Sequence, residues 1–147
     1  MLSAATLSLM EERKKMQQRA HNQRIIDQFT RWAKPFADLP LHAEAEAMAT
    51  TLAACASDRS SFVLDVVCGP GILACALAER ARHVVGIDIT PAMIEQASAR
   101  QKGAGLGNLE WHVGDADDMP FEDGAFDVVT TRYSFHHMPQ PAAAWRR

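Results

Sequence analysis

Ser61-Phe62-Val63-Leu64-Asp65-Val66-Val67-Cys68-Gly69-Pro70-Gly71 is the stretch whose reading decides the fold. Residues 62–67 form a short apolar run rich in β-branched side chains, the composition of a strand buried on both faces of a parallel sheet. A glycine turn follows, and residues 72–82 carry Ile72, Leu73, Ala76, Leu77 and Ala81 at helical spacing, so the unit reads strand, turn, helix. Glycine takes φ > 0 and lets backbone approach a ligand without Cβ interference, while the first N–H groups of a helix favour anionic groups. Asp65 stands at the end of the strand, facing the same crevice.

A second signal lies 17 residues after Gly71, where the apolar run Val84-Val85-Gly86-Ile87 ends in Asp88. That is near the spacing at which a carboxylate meets a pair of ribose hydroxyls. Pro91 then opens a helix in which Met93, Ile94 and Ala97 share a side through about Gln101, and the glycine-rich residues 102–108 end it. Residues 109–113 read as a third strand, Gly114-Asp115-Ala116-Asp117-Asp118 as the turn at its end, and residues 126–131 as a fourth strand after the turn Glu122-Asp123-Gly124. The acids at 115, 117 and 118 make a negative rim, but no histidine lies at suitable local spacing and no metal is expected. The alternation predicts an α/β sandwich on a partial parallel sheet of about four strands, with ligands outside the carboxyl ends. Asp65, Asp88, Asp115 and Arg132 then converge on one crevice.

Residues 1–60 read as an N-terminal helical segment and residues 61–147 as an α/β half-domain. Residues 11–24 are dense in charge and amide, as in a solvated helix. Ile25, Ile26, Phe29, Trp32, Ala33 and Phe36 follow at helical spacing, with Pro35 ending or kinking the element. This stripe either packs on the domain or forms a lid over the crevice. Residues 41–56 are alanine-rich and helical in composition. At 147 residues and 48% apolar content the chain is one domain's worth and can bury a core. A net charge of −3 with interspersed signs leaves no electrostatic footprint for nucleic acid or an anionic membrane. No run approaches the ~18 apolar residues of a membrane span. Cys55, Cys68 and Cys75, without metal or disulfide spacing, suit a reducing compartment, and a cytoplasmic location is expected.

Several of these segments together resemble a family, the class I S-adenosylmethionine-dependent methyltransferases, in the branch of the ubiquinone and menaquinone biosynthesis enzymes. The motifs are Val63-Leu64-Asp65 with Cys68-Gly69-Pro70-Gly71, Val85-Gly86-Ile87-Asp88, and Gly114-Asp115-Ala116 with Met119-Pro120-Phe121. Phe126-Asp127-Val128-Val129-Thr130-Thr131-Arg132-Tyr133-Ser134-Phe135-His136-His137 completes them. Gln28-Phe29-Thr30-Arg31 with Pro35-Phe36 is similar to the leading segment of this branch, so the match runs from about Gln28 to the end. The resemblance implies a Rossmann-like methyltransferase sandwich and S-adenosyl-L-methionine as cofactor. It assigns Gly69, Pro70 and Gly71 to the loop passing the methionine part, and Asp65 to the ammonium group. Asp88 takes the ribose hydroxyls, Ile89 the adenine face, Asp115 the adenine amino group, the Ala116 N–H the ring, and Arg132 the methionine end. Cys68 and Met93 count among the cofactor-binding positions as well. These assignments suit the chemistry, because the cofactor's ammonium and hydroxyl groups are donors to carboxylates.

Two departures stand out. Val67 occupies the place of the family's opening loop glycine, where a Cβ and two methyls are expected to crowd the cofactor. Family members also continue through another helix and three more strands, whereas here residues 141–147 only open the next helix. The expectation is a cofactor-binding half truncated after the fourth strand, which could pair with a second copy through that strand's open edge.

The activity implied is methyl transfer to a small-molecule acceptor, with His136 and His137 as catalytic candidates where an acceptor could reach. One alternative is a non-catalytic S-adenosylmethionine-binding or interaction module. Another is a nicotinamide-dependent dehydrogenase, since Gly69-Pro70-Gly71-Ile72-Leu73-Ala74 followed by Asp88 fits that pattern too. Asp65 separates them: four residues ahead of the first glycine, it suits a ligand with an ammonium and faces a pyrophosphate unfavourably.

Overall fold

The computed structural model describes residues 1–38 and 45–132. Helix α1 runs over Ala4–Ala37 as one element of 34 residues, joining the charged and the apolar segments that read as separate parts of the sequence. Ser3 caps it, its side chain accepting from the Thr6 N–H at 3.2 Å. Pro35 lies inside the last turn, and the helix stops at Ala37, as expected once a backbone donor is missing. Helix α2, Ala45–Cys55, is shorter than the span 41–56 expected from composition, and the residues before it fall outside the described ones.

The remaining elements are β1 (Phe62–Val66), α3 (Ile72–Ala78), β2 (His83–Asp88), α4 (Pro91–Ala104), β3 (Leu109–Val113) and β4 (Val128–Thr130). All pairings are parallel and the sheet order is β3-β2-β1-β4. In register, Asp65 stands beside Gly86 of β2 and Thr130 of β4. The chain steps outward from β1 through β2 to β3, then returns to the other side of β1 for β4. This reversal opens a crevice at the carboxyl end of β1, the place where such sheets bind ligands. The fold is thus a Rossmann-like α/β sheet with flanking helices and an N-terminal helical extension.

Alternation along the strands divides the core. Val63, Val84 and Leu109 pack with Leu73, Ala74, Leu77 and Ala78 of α3, and Met48 and Leu52 of α2 join them. Leu64, Val66, Val85 and Ile87 face the other way, against Met119, Phe121 and Phe126 of the loop between β3 and β4. Two strands differ from expectation. Val67 leaves β1 because its φ is 55°, so the strand closes at Val66. β4 begins at Val128 because Asp127 is used as a fastener: its carboxylate accepts from the Phe62 N–H at 2.8 Å and its own N–H donates to the Phe62 carbonyl at 2.9 Å. No helix among the described residues is long and apolar enough to cross a membrane.

Candidate functional site

The turn after β1 combines three left-handed residues, Val67 at φ 55°, Gly69 at 54° and Gly71 at 76°. At Gly71 glycine is required twice over, because a Cβ would also come within 2.8 Å of both Ala97 Cβ and Trp111 Cη2. A Cβ on Gly69 would meet nothing within 4 Å, so space beside the loop is open there. Val67 has no such excuse: a β-branched side chain is strained at this φ, and it is the position where the resemblance places a glycine. Trp111 wedges the loop against the sheet, its ring also filling the place a Cβ on Gly86 would take and its Nε1–H donating to Gln101 Oε1 at 2.7 Å.

Two acids of adjacent strands bracket this loop. Asp88, 5% exposed, accepts from the Gly69 N–H through Oδ2 at 2.9 Å and from the Thr90 N–H through Oδ1 at 2.8 Å. Each oxygen keeps a further lone pair. Burial raises the Asp88 carboxyl above its ordinary range, and those two N–H groups pull it back. Asp65 is 1% exposed, and its Oδ2 is buried with no hydrogen-bond partner. Burial, and then the charge of Asp88, pushes its carboxyl up to about 8; Arg132 acts in the opposite direction. A buried carboxyl oxygen without a hydrogen-bond partner is costly.

At the far side, the turn after β3 presents Asp115. Its Oδ1 accepts from the Asp117 N–H at 3.0 Å and its Oδ2 accepts from Asn22 Nδ2 of α1 at 2.6 Å. Burial and the neighbouring Asp115 charge raise the Asp117 carboxyl, and His21 of α1 opposes them. Arg100 of α4 joins α1 to the glycine loop, with Nε donating to the Pro70 carbonyl at 3.2 Å and Nη2 to the Ala37 carbonyl at 2.8 Å.

The residues nominated from sequence take these places. Cys68, Gly69, Pro70 and Gly71 form the loop, Asp65 and Asp88 flank it, half-buried Ile89 and buried Met93 follow Asp88, and Asp115 and Ala116 close the other end. Arg132 follows β4 and acts electrostatically on Asp65. His136 and His137 lie outside the described residues. Burial first, then Asp65 and Asp88, raises the Cys68 thiol, and burial pushes Cys75 up to about 11, which favours the thiol form of both. Among the described residues no cluster of His, Cys, Asp or Glu is placed to hold a metal ion.

Thr90, Asn22 and Arg100 escaped the sequence reading. Thr90 carried a usable signal, a hydroxyl residue directly before the Pro91 that opens α4. Asn22 and Arg100 carried none, since an amide and a guanidinium on helices look like solvated surface.

Comparison with known proteins agrees with this geometry. Residues 63–147 match a family described as methyltransferase domain. The chain is 30% identical over 118 residues to the uncharacterized methyltransferase YcgJ of Bacillus subtilis, covering 80% of this chain and 47% of that protein. The crystal structure of YcgJ superposes with a TM-score of 0.65 at 29% identity, over 68% of this chain and 43% of the other. Demethylmenaquinone methyltransferase of Lactococcus lactis is 38% identical over 80 residues, 52% of this chain and 32% of that enzyme. Phosphoethanolamine N-methyltransferase 1 of Haemonchus contortus, solved with phosphoethanolamine and S-adenosylhomocysteine, gives a TM-score of 0.59 at 26% identity, over 72% of this chain and 25% of that one. The chain thus spans at most about half the length of these relatives. A glycine turn between two buried carboxylates, on a sheet that reverses at β1, and a family match over most of the chain lead to one conclusion: the chain belongs to the methyltransferase domain family.

Proposed function

We propose that this chain is the S-adenosylmethionine-binding part of a methyltransferase acting on a small-molecule acceptor. The observation that carries the reading is Asp65 Oδ2, a buried carboxyl oxygen with no hydrogen-bond partner at the glycine turn. An ammonium-bearing ligand satisfies it, whereas a dinucleotide pyrophosphate would be repelled once the group ionises. In this reading the loop from Cys68 to Gly71 passes the methionine part, and Arg132 lines the same end. The spare lone pairs of Asp88 accept from the ribose hydroxyls. Ile89 and Met93 offer apolar surface to the adenine, and Asp115 and the Ala116 N–H address its polar edge.

When bound, the cofactor supplies a methyl group on a positively charged sulfur, open to displacement by a nucleophile. The task of the chain is alignment. Holding an acceptor atom at ~3–3.5 Å, in line with the leaving sulfur, accounts for most of the acceleration such a reaction needs, and no general base is compulsory. His136 and His137 remain acceptor-side candidates in this proposal. Relatives named for demethylmenaquinone and phosphoethanolamine support a small-molecule acceptor. The free cysteines are in keeping with the cytoplasmic location we infer.

The alternative reading is a binding module that takes up cofactor without turning it over. Calorimetric titration of the 147-residue chain with S-adenosylmethionine and with NAD tests the cofactor class. Binding of the first alone is expected; binding of NAD alone overturns the reading. Methyl transfer from labelled cofactor, assayed with candidate acceptors, then separates enzyme from module.

A further inference from the structure

α1 touches the cofactor pocket at two points, and the two differ in chemistry. At its carboxyl end, the Ala37 carbonyl is among those a helix leaves without an internal partner. Arg100 Nη2 donates to it at 2.8 Å, and a cation at this end also suits the helix dipole. The same guanidinium donates through Nε to the carbonyl of Pro70, between the two loop glycines. One half-buried side chain therefore makes the position of the loop depend on the seating of α1. In mid-helix, Asn22 Nδ2 donates to Asp115 Oδ2 at 2.6 Å. Its orientation is fixed from behind, because Asn22 Oδ1 accepts from Gln18 Nε2 at 3.1 Å one turn earlier. Asp115 Oδ1 is held by the Asp117 N–H, so Oδ2 is the oxygen left to face an incoming donor. Asn22 meets that oxygen with an NH2 group, the same kind of donor as the exocyclic amine of adenine.

We propose that α1 is a strap across the cofactor pocket, anchored to the glycine loop by Arg100 and latched on Asp115 by Asn22, so that helix and adenine compete for one carboxylate oxygen. This rests on the S-adenosylmethionine reading above. In the proposal Arg100 is a positioning residue that favours binding by holding the loop in its ligand-ready shape. Asn22 opposes binding, because its hydrogen bond is broken or shared when the cofactor enters. Loss of the two side chains therefore acts in opposite directions, which a helix serving only as packing does not do.

The test is calorimetric titration of the 147-residue chain and its variants with S-adenosylhomocysteine, with thermal melts to confirm folding. Asn22→Ala is expected to bind about fivefold tighter and Arg100→Met about fivefold weaker, each reflecting the net contribution of about one hydrogen bond. Asn22→Asp, which sets a like charge against Asp115, is expected to tighten binding as well, and Arg100→Lys to recover part of the loss. Equal or weaker binding by both folded Asn22 variants overturns the latch while leaving the cofactor reading intact. Unchanged binding by folded Arg100→Met overturns the anchor. An unaltered chain that binds neither S-adenosylhomocysteine nor S-adenosylmethionine overturns the cofactor reading and the strap with it.

Discussion

Asp88, at the end of β2, holds the loop that follows β1: its Oδ2 accepts from the Gly69 N–H at 2.9 Å while Oδ1 accepts from the Thr90 N–H at 2.8 Å. The carboxylate is therefore structural before any ligand arrives. We expect Asp88→Ala to destabilise the fold by about 2 kcal/mol, as one buried and one part-buried donor lose a charged acceptor, and to weaken S-adenosylmethionine binding by roughly 1.5–3 kcal/mol. Urea unfolding and calorimetry read the two effects. A variant of unaltered stability and affinity would remove Asp88 from both roles.

Asp65 sets a pH dependence. Its carboxyl lies at about 8 in the fold against an ordinary 3.8, so the folded chain keeps a proton that the unfolded chain releases. The stability this group contributes is full below about pH 4 and is lost as pH rises toward 8. Asp65→Asn should flatten that decline. A cationic ligand favours the ionised form, so S-adenosylmethionine affinity should rise between pH 6 and 8, with proton release on binding visible as a buffer-dependent heat. Affinity that falls over this range contradicts the placement of the ammonium at Asp65.

Val67→Gly relieves a residue held at φ 55° but removes a side chain packed against the cluster of Leu64, Val66, Val85, Ile87 and Met119. Left-handed geometry costs roughly 1–2 kcal/mol for an ordinary residue. The net stability change should stay within about 1 kcal/mol, where trimming a comfortable, partly buried valine costs roughly 2. Cofactor affinity should rise. Denaturant midpoints of the two chains decide the first point, and paired titrations the second.

Two loop glycines should respond differently to the same change. At Gly69 a methyl meets nothing within 4 Å, so Gly69→Ala should cost about 1 kcal/mol, through φ alone. At Gly71 the methyl meets Ala97 Cβ and Trp111 Cη2 at 2.8 Å in addition to its φ of 76°, and Gly71→Ala should cost about 3 kcal/mol. Similar losses in thermal or urea unfolding would mean that α4 and Trp111 yield easily.

The sheet was legible because its inner strands are local statements: Val63, Leu64 and Val66, then Val84, Val85 and Ile87, are β-branched or leucine runs ended by an acid or a turn. Asp65 and Asp88 could be nominated because they end such runs beside a glycine turn. What stayed hidden depends on partners distant in the chain. Asn22 meets Asp115 across 93 positions, and Arg100 meets Ala37 across 63. The sequence of β4 looked longer than it is, since nothing local reveals that Asp127 will be spent on the Phe62 backbone. Val67 was suspect for its bulk; its left-handed backbone angle is a separate strain, and an angle is visible only in the fold.

Trp111 gives the molecule its own optical gauge. Its indole lies where a Cβ on Gly71 or Gly86 would stand, and its Nε1–H is spoken for by Gln101, whereas Trp32 is 54% exposed on α1. Any event that loosens the glycine loop changes the polarity around one half-buried indole, so a blue-shifted emission component that moves on ligand addition reports loop order without a label. Converting Trp32 to phenylalanine clears the main solvent-exposed background among the described residues and leaves that component easier to follow.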